Sequence, residues 1–131
     1  MLTDTEIDGI ESLATGVPLT ATGKSATPLH RAFIRSLILR SSIEGYISLC
    51  RILATTKKPD YAAITVPLLV IAGSEDITAP LAGCNAILNQ YSTRTEQKRI
   101  EVLDGIGHWH CIEAGDIVAG HINHFVFGRN V

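Results

Sequence analysis

Two residues could act together in acid–base chemistry. Asp76 ends the turn Gly73-Ser74-Glu75-Asp76 behind an apolar run, and His108 sits in Gly105-Ile106-Gly107-His108-Trp109 behind a second one. If both runs are neighbouring parallel strands, the loops at their carboxyl ends lie side by side, where open α/β sheets place their reactive groups. The Asp76 carboxylate can then accept a hydrogen bond from one imidazole nitrogen of His108 and leave the other free as a base. That is the orienting half of a nucleophile–histidine–acid triad. The glycines flanking His108 let the loop turn sharply with the ring held outward.

The elements that must hold this pair are legible in the hydrophobic periods. Val66-Pro67-Leu68-Leu69-Val70-Ile71-Ala72 is a nearly continuous apolar run of strand length, as for a strand covered on both faces. Residues 80–90 read as a helix and Arg99-Ile100-Glu101-Val102-Leu103 as a second strand. Ile112, Ile117, Val118, Ile122, Phe125 and Val126 mark a closing helix. Upstream of residue 64 the period is helical. Thr3-Asp4-Thr5-Glu6 and Ser41-Ser42-Ile43-Glu44 have the form of capping boxes. Leu29, Phe33, Leu37 and Ile38 predict one apolar helix face, and Ile43, Ile47, Cys50 and Leu53 or Ala54 another. Residues 16–27, rich in Thr, Gly and Pro, predict a loop. The fold class is therefore α/β, strand-helix-strand-helix over residues 65–131, preceded by a helical segment over residues 1–64.

The pattern resembles that of a known family. Val66 to Asp76 with Pro80, then Gly107-His108-Trp109 and Glu113, is similar to the C-terminal portion of α/β-hydrolase-fold enzymes, nearest to 3-oxoadipate enol-lactonase and related esterases. The resemblance implies that Asp76 is the triad acid and His108 the base, for ester or lactone hydrolysis. It also implies that the segment before residue 64, with Ser42-Ile43-Glu44-Gly45-Tyr46 and Asp60-Tyr61, is the end of the helical lid. The family's nucleophile stands in a G-x-S-x-G elbow upstream of the acid. No such motif occurs in the 131 residues. Ser25 lacks the second glycine and a preceding strand, and Ser74 sits in the acid turn. The reading is an incomplete hydrolase whose nucleophile and oxyanion donors lie outside this chain. The alternative is a non-catalytic relative that binds a small molecule or a hydrolase subunit.

Two parallel strands leave edges and faces that demand partners. A complementary hydrolase chain, a second copy of this one, or an upstream part of a longer product would supply them. The substrate expected of the completed site is a small ester or lactone, with no cofactor and no metal. His108, His110, His121 and His124 raise a zinc reading, but no carboxylate or thiol completes a ligand spacing. With 46% hydrophobic and 18% charged residues the composition suits a packed core, and the net charge of −2 offers nothing to a phosphate backbone or an anionic membrane. No apolar run reaches the roughly 18–20 residues of a membrane helix, and the acidic start has no signal-peptide character. A soluble, cytoplasmic protein is expected. The three cysteines, Cys50, Cys84 and Cys111, are predicted to be buried free thiols. Trp109 reads as packing behind the histidine loop, Asp104 as a turn residue, Thr78 as a cap for the helix near Pro80, and the arginines 31, 35, 40 and 51 as a solvated face.

Overall fold

The computed structural model describes residues 9–128. They divide into two compact units, one of residues 9–20 with Thr27–Pro59, the other of Ala21–Ala26 with residues 60–128.

The first unit is helical. Helix α1 spans Ile10–Thr20 and runs through Gly16 and Pro18, where a loop was expected. A proline inside a helix removes a backbone donor and crowds the preceding turn. Here the cost is offset by packing, since Ala14 and Pro18 are buried and α1 packs on helix α2, Pro28–Leu39. Arg35 adds a bond from Nη1 to Thr15 Oγ1 at 3.3 Å. The buried residue of α2 is Ile34, not the expected row, of which Leu29 and Phe33 are exposed. The N-terminus of α2 carries a capping box of unusual composition. Thr27 Oγ1 accepts from His30 N–H, and His30 Nδ1 accepts from Thr27 N–H. Helix α3, Ile43–Thr55, is capped by Ser42, whose Oγ accepts from Gly45 N–H at 2.9 Å. That cap leaves Glu44 one position short of the expected reciprocal role, and Glu44 instead accepts from the Ser42 hydroxyl. No residue of α3 is buried. The expected capping box at Thr3–Glu6 lies outside the described residues.

The second unit holds the sheet. Strand β1, Leu68–Gly73, and strand β2, Lys98–Leu103, pair in parallel, with Leu68 opposite Lys98 and Gly73 opposite Leu103. Helix α4, Leu81–Gln90, joins them as the crossover, and Lys98 Nζ donates to the carbonyls of Leu88 and Tyr91 at its end. Two helices close the chain: α5, His110–Glu113, and α6, Gly115–Phe127, separated at Ala114, where φ of −145° breaks the expected single helix. Helices α4 and α6 both pack on β1. The core is Leu103, Ile106 and Val118 with Ile71 and Ala114 against it. Of the apolar residues expected along the closing helix, Ile117, Ile122 and Val126 remain exposed.

Candidate active site

The parallel register sets the chemistry. Because Gly73 pairs with Leu103, the chain leaves both strands at the same edge, and the two loops bond directly to each other. Ser74 N–H donates to Leu103 O at 2.9 Å and Glu75 N–H to Ile106 O at 2.9 Å. Gly105 N–H donates to Ser74 Oγ at 2.8 Å. The loops approach so closely at Gly73 that any side chain there would run into the carbonyls of Ile106 and Gly107. Gly105 has φ of +71°, which a glycine adopts without strain.

Within this frame Asp76 and His108 meet, as expected from the sequence. His108 Nδ1 lies 2.9 Å from Asp76 Oδ2. Asp76 is 8% exposed, whereas the His108 side chain is 42% exposed. The second carboxylate oxygen is also used: Oδ1 accepts from Thr78 N–H at 2.9 Å and from Ala79 N–H at 2.8 Å. Asp76 thus closes the turn that leads to α4 while it faces the histidine; α4 itself follows Pro80 without a side-chain cap, so Thr78 does not cap it as expected. Burial pushes the Asp76 carboxyl upward, but the Ala79 N–H, the His108 ring and the Thr78 N–H outweigh it and hold the group below the ordinary carboxylate range. An ionised Asp76 only accepts, so Nδ1 of His108 donates to it and Nε2 stands outside the pair.

The neighbouring groups have other employment. Asp104 is 90% exposed at its side chain and lies 3.8 Å from Lys24 Nζ, away from the acid's place beside His108. Ser74 Oγ donates to Asp104 Oδ1 at 3.4 Å. His108, Trp109, Cys111 and Ile112 line an open cleft of about 320 Å³. Trp109 Nε1 and His110 Nδ1 are buried without a hydrogen-bond partner among the described residues. Cys111 is exposed and Cys50 and Cys84 are half-buried, so the thiols are less covered than expected. Among the described residues no group of three potential ligands could hold a metal ion. No helix among them is long and apolar enough to cross a membrane.

One buried carboxylate escaped functional reading from the sequence. Glu113, 7% exposed, accepts from the backbone N–H groups of Gly23, Gly107 and Trp109. The available signal was an acidic residue among apolar neighbours, close behind the histidine.

A strand, a turn ending in Asp, a crossover helix, a second strand and a glycine-framed His describe one end of an α/β-hydrolase sheet, and comparison with solved structures agrees. The protein has the C-terminal portion of the α/β-hydrolase fold. A thermophilic esterase from Thermogutta terrifontis superposes with a TM-score of 0.77 at 21% identity, over 97% of this chain and 47% of that one. An esterase from Exiguobacterium antarcticum gives 0.73 at 19%, over 95% and 48%. An enzyme that degrades N-acyl homoserine lactones gives 0.73 at 18%, over 93% and 49%. The chain therefore spans about half the length of the solved structures it matches. No protein-family model matches the sequence, and no curated protein does.

Proposed function

We propose that this chain contributes the acid and base, Asp76 and His108, to a Ser-His-Asp site for hydrolysis of a small ester or lactone, with the nucleophile and oxyanion donors supplied from outside its 131 residues. The observation that carries the reading is the 2.9 Å contact between His108 Nδ1 and Asp76 Oδ2, with Nε2 left free. In that role Nε2 takes the proton of the attacking hydroxyl and returns it to the leaving alkoxide, while Asp76 stabilises the imidazolium between the two steps. The unpartnered nitrogens of Trp109 and His110 support it too, since buried donors and acceptors ordinarily find partners and a completing segment would bring them. Helices α1 to α3 are then lid-derived and residues 65–131 belong to the catalytic core. The partner that supplies the nucleophile and oxyanion donors is a complementary hydrolase chain, whereas a second copy would add strand edges but no nucleophile; the three free cysteines suit the cytoplasm.

The apolar side chains left exposed on α3, Leu49, Ile52 and Leu53, favour one other reading, a non-catalytic hydrolase relative that binds a subunit.

The test is turnover of p-nitrophenyl acetate. The chain alone should match a His108→Ala variant, because an oriented imidazole without nucleophile or oxyanion hole supplies little. Fused behind a strand and G-x-S-x-G segment from a hydrolase of this fold, it should gain turnover that His108→Ala and Asp76→Asn each abolish. Turnover in the fusion that ignores both substitutions would overturn the reading.

A further inference from the structure

Glu113 has no part in the proton transfers above, yet it is a buried carboxylate with three backbone donors converging on it. Burying such a group is costly unless it is fully hydrogen-bonded. Its partners are specific. Gly107 N–H reaches Oε2 at 3.1 Å and Trp109 N–H reaches Oε1 at 3.1 Å, so one carboxylate grips the backbone immediately before and immediately after His108. The remaining N–H, that of His108 itself, donates to Ala21 O at 2.8 Å. Three consecutive amides around the imidazole are therefore all fixed.

The acceptor of the middle amide is held by the same carboxylate. Residues 21–26 form a strap over the two loops, and Gly23 N–H donates to Glu113 Oε2 at 2.8 Å. Further along the strap, Lys24 N–H donates to Glu75 Oε2 at 2.7 Å and Ser25 N–H to Gly105 O at 3.0 Å. Gly23 can lie this close only without a side chain, because a Cβ would strike the Gly105 carbonyl. Strap and histidine loop thus share one anchor, and the strap in turn holds the acid turn through Lys24.

We propose that Glu113 is the positioning residue of His108: it fixes the loop on both sides of the ring and holds the strap whose Ala21 carbonyl fixes the centre, and so sets the approach of Nδ1 to Asp76. The name base for His108 rests on the function proposed above; the positioning itself does not. A carboxylate suits the place because three donors and no acceptor face it. A glutamine would turn an NH2 group toward one of those donors.

The experiment is hydrogen exchange and imidazole N–H spectroscopy by NMR on the full chain and its Glu113→Gln, Glu113→Ala and Asp76→Asn variants. The β1 and β2 amides report whether the sheet stays formed. Glu113→Ala should speed exchange of the His108 ring Nδ1–H and of the His108 backbone N–H by about tenfold or more, although Glu113 touches neither, with Glu113→Gln in between. Acceleration confined to Gly107, Trp109 and Gly23 would overturn the proposal. So would loss of β1 and β2 protection in both Glu113 variants, since Glu113 would then serve the sheet as a whole. Where Glu113→Ala alone loses the sheet, Glu113→Gln decides by the same criterion. Failure of the triad reading looks different: Asp76→Asn would leave the ring Nδ1–H unchanged.

Discussion

Asp76 and His108 are joined by a carboxylate that serves two masters: Oδ2 faces the imidazole Nδ1 at 2.9 Å, while Oδ1 holds the amides of Thr78 and Ala79. The turn and the histidine are therefore coupled through one side chain, and substitutions that differ in which oxygen they remove should separate the two roles.

Asp76→Asn keeps an oxygen for Thr78 and Ala79 and replaces the oxygen at His108 with an amide donor. It should cost about 1 kcal/mol of stability, the order of one hydrogen bond. Asp76→Ala strips both roles and should cost about 2–4 kcal/mol, because the Thr78 and Ala79 amides lose their acceptor together with the His108 contact. Urea unfolding of the three proteins at neutral pH checks the order. Equal losses would show that the His108 contact, not the turn, carries the energy.

The pH dependence follows from the same carboxyl. Its folded-state pKa is held below the ordinary value, so the unfolded chain binds the proton more readily. Asp76 therefore contributes stability that is complete above the ordinary carboxylate value of about 4 and is lost as pH falls through the lower folded value. Unfolding midpoints measured from pH 7 down to 2.5 should decline more steeply in the native chain than in Asp76→Asn. Parallel curves would refute the assignment.

The sheet and its pair were readable because strand, turn and glycine signals are local: β1, β2 and α4 fall within two residues of their expected limits, and the parallel connection then forces Asp76 and His108 together. What escaped was set by tertiary contact. Pro18 is helical because Ala14 and Pro18 pack on α2, which no propensity reveals. His30 completes a capping box where only Glu or Gln was sought, since an imidazole nitrogen accepts equally well. The strap was hidden because Gly23 meets Glu113 across 90 positions of sequence. Apolar periodicity on α3 was visible, but a period says which residues share a face and not whether anything covers it.

Glycine substitutions should divide sharply by position. A methyl group on Gly73 would overlap the Ile106 and Gly107 carbonyls, and backbone cannot step aside as a flexible side chain can. Gly73→Ala should cost more than about 3 kcal/mol, in the range reserved for steric overpacking. Gly120, inside α6, has nothing within 4 Å of the position a Cβ would take. Gly120→Ala should stabilise by about 0.5–1 kcal/mol through helix propensity. Thermal unfolding of both variants beside the native chain is the measurement, and a tolerated Gly73→Ala would show that the loops separate freely.

The two-stranded sheet sets the last expectation. Among the described residues β1 and β2 have no strand partner but each other, so the outer edge of each presents backbone donors and acceptors that no strand pairs. Apolar side chains stand uncovered in the same unit: Val102 on β2, and Ile117, Ile122, Val126 and Phe127 on α6. Single exposed apolar residues are ordinary, but several of them on one helix in a unit with open strand edges favour association. The chain on its own should accordingly form dimers or larger species, with mass rising with concentration in light scattering. If the α6 side chains drive this, Ile122→Lys with Val126→Lys, which share one face, should lower the mass while leaving helicity unchanged. If the strand edges drive it, the double variant should associate as before, and only a chain that supplies a further strand should return a single defined species. A monomer at every concentration, with its β1 and β2 amides protected from exchange, would show instead that the pair is closed without a partner.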